Sequence, residues 1–176
     1  MSRTIGIGIQ SFEKIIENCC FYVDKTHFIK EWWENHDDVT LIARPRRFGK
    51  TLNMNMLECF FSNNYQDKGQ LFQGLSIWKE EKYRQIQGTF PVISLSFANI
   101  KETSFERAKQ RIGQLIAELY QDNAFLLHSE KLLTVEKTTV QKNMENPDPA
   151  TSLNQLSRYL FKHYERKIIT AFLTLR

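Results

Sequence analysis

Apolar residues recur along this chain with two different periods, and the changes of period mark the elements. Phe12, Ile15 and Ile16 over residues 10–18, and Phe28, Ile29, Trp32 and Trp33 over residues 26–35, have the three- and four-residue spacing that gathers side chains on one face of a helix. The piece between them, CFYVDK, is short and expected to be extended. Residues 39–43 (VTLIA) are β-branched and apolar, bounded by His36-Asp37-Asp38 and by Arg44-Pro45, which predicts a strand buried on both faces at the centre of a parallel sheet. From Lys50, the run KTLNMNMLECFFS predicts a helix with Leu52, Met56, Leu57 and Phe60 turned inward, ending at Ser62-Asn63-Asn64. Over residues 69–90 the pattern gives only a packed turn at Leu71, Phe72 and Leu75 and a polar surface stretch from Trp78 to Gly88. Residues 90–97 (FPVISLSF) predict a second covered strand through Val92, Ile93, Leu95 and Phe97, with Pro91 at its start, where a missing N–H is tolerated.

A long helix is expected next, over residues 104–121, with Phe105, Ala108, Ile112, Leu115, Ile116 and Leu119 on its apolar face. A polar helical stretch follows near residues 129–145. Asn146-Pro147-Asp148-Pro149 then stops the chain, and Asp148 is expected to cap a helix whose first residue is Pro149 and whose inner side carries Leu153, Leu156, Leu160 and Tyr164. The last ten residues, KIITAFLTLR, read as a third strand. The order strand, helix, strand, helix, helix, strand implies an α/β layered fold with right-handed crossovers, as a single domain over residues 1–176.

Composition narrows the function classes. The 176 residues are 41% hydrophobic and 25% charged, which excludes a disordered chain, a collagen-like repeat or a coiled coil. Twenty-four Lys plus Arg against 20 Asp plus Glu leave a formal charge of +4, too mild to announce a nucleic-acid protein by itself. No apolar run approaches the roughly 18 residues that span a bilayer, and MSRTIGIGIQSFEK lacks the apolar core of a secretory signal, so no membrane partner is expected and the cytoplasm is the default compartment. Cys19, Cys20 and Cys59 lack metal-ligand spacing and read as reduced thiols, with a vicinal redox pair as the alternative for the first two; His27, His36, His128 and His163 are scattered.

The sharpest chemical signal is Arg44-Pro45-Arg46-Arg47-Phe48-Gly49-Lys50-Thr51, between the first expected strand and the helix after it. Against the phosphate-binding pattern G-x-x-x-x-G-K-[ST] it keeps Gly49, Lys50 and Thr51 and has Arg44 in place of the first glycine. The retained residues do the chemistry. A glycine before the lysine lets backbone N–H groups approach phosphate, the helix N-terminus favours the anion, Lys50 adds a charge on the β- and γ-phosphates, and Thr51 can ligate Mg²⁺. The triplet alone should occur by chance in about one chain in ten of this length. Its place between a strand and a helix removes most chance matches, leaving a solvated basic turn as the bland alternative. No acidic residue occurs between Asp38 and Glu58, so Arg44, Arg46, Arg47 and Lys50 form a cationic stretch that suits a triphosphate and equally a nucleic-acid backbone. Phe48 is the one aromatic residue interleaved with that charge, which gives a nucleic-acid-binding module weak support.

Residues 7–16 (IGIQSFEKII), Phe21-Tyr22-Val23-Asp24-Lys25-Thr26, the Arg44–Leu52 phrase, Leu71-Phe72-Gln73-Gly74-Leu75 and Phe90-Pro91-Val92-Ile93 closely resemble, in order, the AAA-ATPase-like family of bacterial proteins. The resemblance implies a P-loop NTPase-like parallel sheet flanked by helices, and a variant Walker A loop in which Arg44 is the family's own residue. It implies that ATP with Mg²⁺ is held by the backbone of Arg46, Arg47, Phe48 and Gly49, by Lys50, and by Thr51 as the metal-contacting hydroxyl. It gives no role for the Tyr22–Thr26 phrase. Family members continue from the last strand into acidic Walker B residues and, further on, a PD-(D/E)XK nuclease-like domain. Here residues 168–176 (IITAFLTLR) contain no acid, so the expectation is a protein that binds nucleotide and hydrolyses it poorly if at all, with a truncated fragment lacking activity as the alternative. No catalytic residue is assigned, and the sequence leaves the oligomeric state open. Pro147-Asp148 with Glu165-Arg166-Lys167 imitates a nuclease motif, but a helical pattern fills the interval.

Overall fold

The computed structural model describes residues 4–36, 39–43, 45 and 48–173, which divide into two compact units, residues 1–92 and 93–176. In the first unit, α1 (Phe12–Glu17), α2 (His27–Asn35) and α3 (Lys50–Phe61) form where the apolar spacing predicts them. Ser11 opens α1 by accepting from the Lys14 N–H, and α1 is joined to α3 by the Phe12 N–H donating to Asn55 Oδ1 at 2.7 Å. The core is aromatic. Phe12 stacks on Phe72, Phe60 meets both Phe61 and Phe72 edge-on, and Trp33 stacks on Phe61 at 5.5 Å and leans on Phe90. Rings arranged this way add directional attraction to the area they bury.

Two expectations for this unit fail. Residues 39–43 join no ladder, and Val39 and Leu41 are 88% and 80% exposed. An extended apolar run is held as a strand by its neighbours' hydrogen bonds, and among the described residues of 1–91 the β pairing is an isolated parallel bridge between Ser62 and Phe90. Residues 78–88 are not all surface. Short α4 (Glu81–Ile86) buries Tyr83, whose hydroxyl donates to Glu34 Oε1 at 2.7 Å, while Leu71, Phe72 and Ile77 sit in 3₁₀ turns and are buried.

In the second unit, β1 (Val92–Ser96) and β2 (Ile169–Leu173) form a two-stranded parallel sheet, connected through α5 (Phe105–Asp122), α6 (Thr134–Glu145) and α7 (Ser152–Tyr164). β1 is covered on one face only: Ile93 and Leu95 point into the core and Ser94 and Ser96 away from it, as their alternation dictates. Ile116, Tyr120, Leu126, Leu132, Val140, Leu156 and Tyr159 complete that core. Phe105 lies outside it, 77% exposed. The helix expected to start at Pro149 starts at Ser152 instead, because Asp148 accepts from the Ala150 N–H and the Thr151 hydroxyl and so holds residues 148–151 in a turn. The fold is thus mixed α/β, with a smaller sheet than expected.

Candidate functional site

The loop before α3 is described at Pro45, Phe48, Gly49, Lys50 and Thr51; Arg44, Arg46 and Arg47 lie outside the described residues. Gly49 is the N-cap of α3 at φ 75°, ψ 19°, a left-handed conformation that side chains other than glycine's strain to adopt. The cap supplies no side-chain acceptor. The first turn of α3 carries the positive end of the helix dipole, and Gly49 brings no side chain to cap it. Lys50 and Thr51 open the helix, and Phe48 is 62% exposed. This start fits an anion: N–H donors, a glycine that permits close approach, a lysine and a hydroxyl follow one another along the chain.

α3 itself is firmly seated. Met56, Cys59, Phe60 and Phe61 are buried, and burial pushes the Cys59 thiol up to about 12, so it stays protonated and inert. Cys19 and Cys20 are free thiols.

A residue outside the expected set reaches this loop. A Cβ built on Gly49 would stand 3.6 Å from Lys25 Nζ. Lys25 belongs to the Tyr22–Thr26 phrase, whose neighbours are fixed in place. The Asp24 carboxylate accepts from the Thr26 N–H (2.8 Å) and hydroxyl (2.7 Å) and from the Ser76 N–H (2.7 Å) and hydroxyl (2.8 Å), and the buried Thr26 hydroxyl in turn accepts from the Ile77 N–H. Partial burial raises the Asp24 pKa, yet the donors of Thr26 and Ser76 together outweigh it and hold the carboxyl below its ordinary value. Tyr22 donates its hydroxyl to Met56 Sδ on α3 at 3.2 Å, and burial raises that phenol to about 12. Sequence alone singled out the phrase without a role. The signal for its local structure was Asp24-x-Thr26 ahead of a helix, a side-chain-to-backbone turn; its approach to Gly49 is a long-range contact that spacing does not encode.

Among the described residues no group of three or more His, Cys, Asp and Glu side chains could hold a metal ion, and no helix is long and apolar enough to cross a membrane. α7 occupies the interval between Asp148 and Glu165, which separates the residues of the nuclease-like imitation.

The family model described as Predicted AAA-ATPase matches residues 6–171. A curated relative, "Uncharacterized protein in vnfD 5'region" of Azotobacter chroococcum mcd 1, is 38% identical over 118 residues, covering 66% of this chain and 21% of that protein. The chain thus spans about a fifth of the length of the curated relative it matches. No solved structure matches the chain.

Proposed function

The chain belongs to the predicted AAA-ATPase family, and on that premise we propose that residues 46–51 bind the phosphates of a nucleoside triphosphate, ATP by preference, with its Mg²⁺, as the Walker A loop of a P-loop NTPase-type fold. The observation that carries the reading is the opening of α3: a left-handed Gly49 with no side-chain cap, followed directly by Lys50 and Thr51. Lys50 contacts the β- and γ-phosphates, the Thr51 hydroxyl meets Mg²⁺, and the backbone of Arg46, Arg47, Phe48 and Gly49 surrounds the phosphate chain. Bound Mg·ATP supplies an activated terminal phosphoryl group. The proposal for residues 1–176 is nucleotide binding, and no residue is assigned to hydrolysis. The same reading is cytoplasmic, where ATP and Mg²⁺ are abundant and cysteines stay reduced.

The test is the affinity for a fluorescent ATP analogue with Mg²⁺, measured on the natural sequence and on Lys50→Ala. Loss of a charge-assisted phosphate contact should weaken binding at least about tenfold with the circular dichroism unchanged. Equal affinity in the variant would sink the proposal. Affinity for an oligonucleotide that falls steeply with salt and is not displaced by ATP would assign the basic stretch to nucleic acid instead.

A further inference from the structure

Lys25 occupies an electrostatically awkward position. The N-terminus of α3 carries a partial positive charge and Lys50 follows directly, yet the Lys25 ammonium is held beside Gly49, 3.6 Å from where a Cβ would be. Among the described residues no carboxylate pairs with it. The residues on either side of Lys25 are anchored to two separate segments, Tyr22 to Met56 on α3 and Asp24 with Thr26 to Ser76 and Ile77. Such a frame offsets the repulsion and fixes the backbone from which the lysine extends. Lys25 thus adds a cation beside Gly49, where the positive end of the α3 dipole already favours an anion that brings several negative charges.

We propose that Lys25 is a second phosphate-contacting cation of this loop, its ammonium donating to a phosphate oxygen of the bound nucleotide, and that Asp24 is the positioning residue that holds it there. This rests on the nucleotide-binding reading of residues 46–51 and gives the Tyr22–Thr26 phrase a task. It also accounts for the division of labour within the phrase: Asp24 and Thr26 are consumed by internal hydrogen bonds, while Lys25 extends to the loop.

The experiment compares the natural sequence, Lys25→Met, Lys25→Arg and Lys50→Ala for binding of a fluorescent ATP analogue with Mg²⁺, with thermal unfolding of each free protein. In parallel, the acetylation rate of Lys25 by an amine-reactive reagent is followed by mass spectrometry with and without Mg·ATP. Lys25→Met should bind about tenfold more weakly, Lys25→Arg should keep most of the affinity because it keeps the charge and donors, and Mg·ATP should slow acetylation of Lys25. Wild-type affinity in Lys25→Met beside lost binding in Lys50→Ala overturns the role of Lys25 and leaves the loop reading intact. Weakened binding in Lys25→Met without protection of Lys25 by Mg·ATP also overturns it, since that result is structural. No binding by the folded natural sequence overturns both readings together.

Discussion

One carboxylate, that of Asp24, joins segments 52 residues apart through two donors from Ser76 while closing its own turn with Thr26. Its folded pKa lies below the ordinary value, so the unfolded chain takes up the proton first; the stabilisation is complete above about pH 4 and is lost as the pH falls through the folded value. Asp24→Asn should therefore cost about 1–3 kcal/mol at pH 7, and its deficit against the natural sequence should narrow in urea titrations carried out below about pH 4. A constant deficit across that range would contradict the account. Gly88 makes a second residue-scale prediction: at φ 66° a Cβ would meet Gln66 Cα at 2.3 Å, while the Gly88 N–H donates to the Phe60 carbonyl at the end of α3. Gly88→Ala should destabilise by more than about 2 kcal/mol, read as a lower thermal midpoint. At this scale the opening of α3 at Gly49-Lys50-Thr51 was legible in the sequence, because a helix start is a local feature. Lys25 beside Gly49 was not, because two phrases 24 positions apart in the chain meet only after folding.

Elements with a strong local period were legible and those resting on partners were not. α3 and α5 lie within a residue or so of their expected bounds, since a helix satisfies its own backbone. Residues 39–43 had the composition of a buried strand but gain no ladder, and the polar stretch 78–88 concealed Tyr83, which burial and a bond to Glu34 draw inward. α5 shows the same limit in its last turn. Tyr120 extends the stripe through Ile112 and Ile116, but it is fully buried because its hydroxyl donates to the Ser152 carbonyl at 2.8 Å and accepts from Asn143 Nδ2, which also donates to Gln155. That network joins α5, α6 and α7. Tyr120→Phe should leave a carbonyl and an amide short of partners and cost about 1–2 kcal/mol in denaturant unfolding; an unchanged midpoint would show that the network contributes packing alone.

For the molecule as a whole, the alternation of strands and helices was enough to give the α/β class, and the family match over residues 6–171 agrees with the phrases that pointed to it. The extent of the sheet was not legible. Parallel pairing joins residues far apart, as β1 and β2 are here, and nothing in a strand's own composition says which neighbours it will find. Each of the two units has its own buried core, so a substitution in one should be read against the stability of that unit. The central claim concerns the ligand, and calorimetric titration of the 176-residue chain with Mg·ATP tests it most directly, with Lys50→Ala titrated beside it. A saturable single-site binding heat in the natural sequence that disappears in the variant is the predicted result. The same isotherm in both proteins, or none in the folded natural sequence, would contradict the account.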